Sequence, residues 1–128
     1  MEQEIFEKIV MDKILDFNEE PFRTLKKQYL SSTINSRELT GRGFFTEFSI
    51  PDELAVKGMG GLVRDVIAKF EDSDMIYLFI LFINDGKIDC LEGVTGFGAW
   101  EYNYDKAILQ YDFGDRRYHE IVGYPTTD

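Results

Sequence analysis

A single cysteine, a single histidine, a single tryptophan and three prolines in 128 residues leave little room for several chemistries. With Cys90 alone no intramolecular disulfide forms, which fits a reducing compartment. Zinc sites built from Cys and His need three or four such ligands, and only Cys90 and His119 exist. A Ser-His-Asp or Cys-His arrangement would have to run through His119, which lies in "YHEIV" with no nucleophile motif near it. No Asp-x-Asp-x-Asp-Gly calcium loop occurs. "GMGGLVRD" lacks the spacing of a dinucleotide loop, and no Lys-Ser/Thr pair marks a phosphate loop. Long apolar runs are missing as well. Met75–Ile83 spans nine residues, roughly half a membrane span. "MEQEIFEKIV" has neither the basic start nor the apolar stretch of a signal peptide. The expectation is a cytoplasmic protein with no catalytic set, no cofactor, no metal, and no membrane or nucleic-acid partner.

Aromatic residues and acids are what the chain has in excess. Eleven Phe and seven Tyr are more than a minimal core needs. The net charge is -10, and residues 71–105 hold 8 acids against one base, Lys87. Seven of the ten excess negative charges therefore fall in one third of the chain. Such a field repels nucleic acid and anionic membranes, and it attracts basic partners.

The periodicity changes once along the chain. Ile5, Phe6, Ile9, Val10, Ile14 and Phe17 recur at three- and four-residue steps and predict a helix. Asn18 is a candidate N-cap for a second helix, with Glu19, Glu20 and Pro21 in its first turn and Phe22, Leu25 and Tyr29 on its apolar stripe. From Ser36 the period is that of strands. "GFFTEFSIP" sets Phe44, Phe48 and Ile50 against Phe45, Glu47 and Ser49, and Pro51 stops it. "LVRDVIAKF" fits a helix or a strand; the strand-like sequence around it favours a strand. "MIYLFILFI" predicts a strand buried on both faces. "NDGK" is a tight hairpin turn, because Asp-Gly supplies the positive φ angles required. "AILQY" and "YHEIVGY" form a second hairpin. The sum is a single α+β domain over 1–128. A helical pair (1–31) packs on one face of an antiparallel sheet of five to six strands (36–124).

Candidate site residues cluster after the hairpin. Glu92 shares strand parity with Ile88 and Cys90, which read as core-facing. It is either a strand-end acid in solvent or partly buried beside a partner such as Arg42 or Tyr102. "GFGAWEYNYD" sets Phe97, Trp100, Tyr102 and Tyr104 among glycines with Glu101 and Asp105. Trp and Tyr are favoured anchors of protein interfaces, and acids beside them suit a basic partner. Trp100 otherwise caps the open end of the sheet. The candidate binding set is Glu92, Phe97, Trp100, Glu101, Tyr102 and Tyr104.

"GRGFFTEFSIP" at Gly41–Pro51, followed by "LFINDGKIDCLEG" at Leu81–Gly93, resembles a family of small uncharacterised bacterial cytoplasmic proteins. Those proteins carry a Gly-x-Gly-Phe-Phe-Thr-x-Phe strand and a Leu-Phe-(Ile/Val)-x-Asp-Gly hairpin ending in Leu-Glu-Gly. The resemblance covers about residues 37–96 and implies no activity. Trp100 matches the relatives, whose proline after it is missing here. By size and composition alone such proteins are similar to the immunity proteins of bacterial toxin systems. The expected function is that of a protein-binding module with an acidic aromatic surface, of which an immunity-like inhibitor of a basic toxin domain is one form. The alternative is a small-ligand-binding or hydrolytic protein using Glu47, Asp89 and Glu92. A homodimer is a third reading.

Overall fold

A computed structural model describes residues 1–96, 98–101, 103–112, 116 and 120–124. Two helices come first, α1 (Gln3–Ile14) and α2 (Phe22–Leu30). Seven strands follow: β1 (Thr33–Thr40), β2 (Gly43–Ser49), β3 (Gly60–Phe70), β4 (Ser73–Asn84), β5 (Lys87–Thr95), β6 (Ile108–Tyr111) and β7 (Glu120–Val122). They form one antiparallel sheet in the order β1-β2-β5-β4-β3-β6, with β7 also pairing β3. The α+β class and the N-terminal helices are as the sequence predicts, and "LVRDVIAKF" is a strand.

Several local expectations change. The sheet has one or two strands more than the periodicity suggests, because "TINSRELT" pairs with β2 as an edge strand. Its side chains are mostly exposed, so no apolar alternation marks it. In α1 only Phe6, Val10 and Ile14 of the apolar stripe are buried; Ile5 and Ile9 face outward. α2 begins at Phe22 rather than after an Asn18 cap, and its first turn is fixed instead by Thr24, whose hydroxyl donates to Glu20 Oε2 at 2.5 Å.

The strand predicted to be buried on both faces is buried on one. Alternation turns Tyr77, Phe79, Leu81 and Ile83 toward the helices, where none exceeds 1% exposure. Their neighbours Ile76 and Leu78 are 36% and 39% exposed on the other side. The apolar residues of both helices and the inward residues of the sheet form one core cluster. No outward residue of β4 belongs to it. Two helices of 12 and 9 residues lie on the same side; no described helix lies on the second face, where Ile67 is nonetheless 4% exposed and Ile80 and Phe82 are half-buried.

Three buried polar contacts hold the helices to the sheet. Gln28 of α2 is fully buried. Its Nε2 donates to the carbonyls of Leu54 and Gly86, and its Oε1 accepts from the Ile88 amide at 2.8 Å. These bonds clamp the β4–β5 turn, where Asp85 and Gly86 take the φ values +52° and +78° that such hairpins require. Glu7 of α1 receives both Arg37 Nε and Nη2 at 2.7 Å. The third contact comes from a bulge. β3 holds Arg64 and Asp65 opposite one residue of β4, and the bulge turns Asp65 inward, 1% exposed. Arg116 grips its carboxylate at 2.9 and 3.1 Å. The same guanidinium donates to the carbonyls of Lys13 and Ile14 at the end of α1, whose last carbonyls lack helical partners, and to that of Asp16 just beyond it.

Replacing Gln28 by Leu keeps the volume but takes the side-chain partner from the Leu54 carbonyl and the Ile88 amide, while the Gly86 carbonyl keeps the Val56 amide. The substitution is expected to cost about 3 kcal/mol of folding stability. Urea unfolding checks this; a cost below about 1 kcal/mol would mean the clamp is not stabilising.

Candidate functional site

The aromatic segment after β5 folds inward. Trp100 is 4% exposed and Tyr104 2%. The indole stacks on Tyr77 with centroids 3.7 Å apart, and Phe44 meets it edge-on at 5.6 Å. Its Nε1 donates to the Tyr104 hydroxyl at 3.0 Å. That hydroxyl donates in turn to Gln3 Oε1, and the Tyr104 ring stacks on Phe6 at 3.8 Å. Tyr77 and Glu101 close the arrangement, the tyrosine hydroxyl lying 2.7 Å from the Glu101 carbonyl. Trp100 and Tyr104 thus close one end of the core beneath α1 and offer no side-chain surface to a partner. Phe97 and Tyr102 lie outside the described residues, as does His119. Among the predicted site residues, Glu101 is exposed and Glu92 half-buried.

Glu92 faces away from the core, against its parity with Ile88. The β4–β5 register shifts by one residue between Phe82–Cys90 and Ile83–Ile88, with Asp89 as the extra residue. The bulge leaves Ile88 inside and turns Cys90, Glu92 and Val94 outward. Glu92 pairs across the sheet with Phe45 on one side and Ile80 on the other. Burial among these apolar neighbours raises its carboxyl pKa above the usual value. Burial likewise pushes the Cys90 thiol up to about 11, so at neutral pH it is a poor nucleophile. Neither Arg42 nor any other described cation forms an ion pair with Glu92. Gly93 follows because the Phe44 ring lies over it; a Cβ there would stand 2.3 Å from the ring.

The acids proposed for hydrolytic chemistry are not brought together. Asp89 accepts from Asn84 Nδ2 at 2.8 Å, and Glu47 from Asn35 at 3.3 Å. Glu92 does not line the groove at the β3–β4 turn, the one between the helices, or the one beside the β4–β5 turn. Among the described residues no group of three or more His, Cys, Asp or Glu is placed to hold a metal ion. No helix is long and apolar enough to cross a membrane.

A groove of about 760 Å³ does gather acids. It lies between the β3–β4 turn and residues 101–108. Glu71 and Asp72 line it from the turn, Glu101 and Asp105 from the later segment, with Phe70, Met75 and Ile108 as apolar lining. The cations are few. Lys106 Nζ sits 3.8 Å from Asp72, and the terminal amine 3.1 Å from Asp105. Two stretches some thirty residues apart thus meet at one end of the sheet, a proximity that only the strand pairing creates.

No family model matches the chain, and no curated protein or solved structure matches it either.

Trp100→Ala separates a core role from a docking role. Loss of a fully packed indole is expected to lower stability by about 4 kcal/mol in chemical denaturation. A change under about 1 kcal/mol would place the ring on the surface.

Proposed function

We propose that this chain is a protein-binding module that receives a basic segment of another protein in the acidic groove. The single observation that carries the reading is the meeting of Glu71 and Asp72 with Glu101 and Asp105 in one cleft. Glu71, Asp72, Glu101 and Asp105, four of the eight acids of residues 71–105, form a pole at one end of the sheet. A pole of one sign speeds the approach of an oppositely charged partner and fixes its orientation. Phe70, Met75 and Ile108 give the aliphatic stems of Lys or Arg something to pack on. Glu101 remains from the predicted binding set, while Trp100 and Tyr104 act as its scaffold. An immunity-like inhibitor that occupies a basic toxin domain is one form of such a module, by analogy of size and charge.

Affinity capture with paired baits tests the proposal. The wild-type chain and a Glu71→Lys/Asp72→Lys/Glu101→Lys variant, all three positions exposed, are exposed to extracts of the cells the protein comes from. A basic protein held by the wild type is expected to bind the variant at least about tenfold more weakly. It is also expected to elute by about 0.5 M salt. Capture that is equal on both baits, or no capture by the wild type, contradicts the reading.

A further inference from the structure

Arg116 does more at the end of α1 than close a salt bridge. A guanidinium carries five N–H donors in a fixed plane, and here each of them meets an acceptor. Nε and Nη2 donate to the two Asp65 carboxylate oxygens at 2.9 and 3.1 Å. Nη2 also donates to the Ile14 carbonyl at 2.7 Å. Nη1 donates to the carbonyls of Lys13 and Asp16 at 3.2 and 3.1 Å, with the Tyr111 hydroxyl oxygen 3.3 Å away beside them. The cation lies 4.1 Å from the ring centroid of Tyr111, 5.2 Å from that of Phe22 and 5.8 Å from that of Phe17. Aromatic faces attract a cation at such distances. A buried carboxylate that takes two parallel N–H bonds, carbonyls at a helix end and aromatic faces together form a receptor for guanidinium. An ammonium, with three donors and no plane, would leave acceptors unmet.

The walls of this receptor are held by contacts that leave Arg116 out. The β3 bulge turns Asp65 inward, and the Asp112 amide donates to the Asp65 carbonyl at 2.8 Å. Tyr111 pairs with Val66 of β3, and its hydroxyl donates to the Lys13 carbonyl at 2.8 Å. Phe17 and Phe22 pack on each other with centroids 5.4 Å apart. The Asp65 side chain is 2% exposed and forms its ion pair with Arg116. Taking away the arginine side chain therefore leaves a shaped anionic cavity whose walls keep their own supports.

We propose that this cavity is a guanidinium-binding site and that Arg116 is its built-in ligand. Because the arginine is tethered to the receptor it fills, its effective concentration there is on the order of millimolar or above. An alkylguanidinium from outside enters only where Arg116 leaves, so the contact is autoinhibitory. Glu71, Asp72, Glu101 and Asp105 of the acidic groove take no part in it, and either assignment can fail without the other.

Ethylguanidinium is the probe, and ethylammonium controls for charge and ionic strength. In NMR titrations of the full chain, Arg116→Ala is expected to bind ethylguanidinium with a Kd of about 2 mM and ethylammonium at least about tenfold more weakly. Ethylguanidinium at about 20 mM is then expected to raise the folded-to-unfolded ratio of the variant about tenfold, read as a Tm higher by about 4 °C. The wild type is expected to show neither response, because its site is filled. Arg116→Ala combined with Asp65→Asn is expected to lose the binding. If Arg116→Ala is unfolded alone, circular dichroism decides: about 100 mM ethylguanidinium is expected to restore the helical signal and the same concentration of ethylammonium not to. A variant that neither binds ethylguanidinium nor refolds in it overturns the proposal. So does an equal response to the two cations, a wild type that binds as tightly as Arg116→Ala, or undiminished binding without the Asp65 carboxylate.

Discussion

The alternation of β4 sends Tyr77, Phe79, Leu81 and Ile83 under the two helices and Ile76, Leu78, Ile80 and Phe82 to the other side of the same strand. Every other feature follows from how those two rows are treated. The inner row is covered by Phe6, Val10 and Ile14 of α1 and Phe22 and Leu25 of α2. Burial of such side chains is the main favourable term in folding. The outer row receives no described helix. A strand of this composition at the middle of a sheet normally has cover on both faces. The chain thus builds a complete core on one side and an incomplete one on the other.

The helices stay on their side because polar contacts in the core fix them there. Gln28 joins α2 to the β4–β5 turn, and Arg116 joins the last turn of α1 to the bulge of β3. Both are costly to leave half-made, since a buried amide or carboxylate without its partner loses its hydration for nothing. They therefore specify geometry more than they add net stability. Two bulges do the same for the outer face. The one at Asp65 turns an acid inward to meet Arg116, and the one at Asp89 turns Glu92 outward. Without the second, Glu92 would point into the core cluster.

The sequence made the α+β class, the helical start and the Asp-Gly turn legible, because each has a local physical cause: a 3.6-residue period, a two-residue period, positive φ at Asp85 and Gly86. β1 was hidden because an edge strand with solvent on most of its side chains has no apolar alternation to read. The orientation of Glu92 was hidden because a bulge resets parity without leaving a mark in composition. Trp100 and Tyr104 could be placed either way from residue type alone. The deciding fact is tertiary: Tyr77, Phe44 and Phe6 are spaced to receive their rings. Glu101 was singled out for its neighbours, and it lines the groove for another reason, the approach of the β3–β4 turn.

The core is one-sided: both helices pack on one face of the sheet, and an acidic cleft opens at its end. The most direct test compares two adjacent residues of β4, Leu81→Ala and Ile80→Ala, by urea unfolding at about 1 µM protein, dilute enough to keep copies apart. A one-sided core predicts a loss of about 3 kcal/mol for Leu81 and under about 1 kcal/mol for Ile80. Equal losses at the two positions would contradict it, because they would mean that both faces of the strand are covered within a single chain.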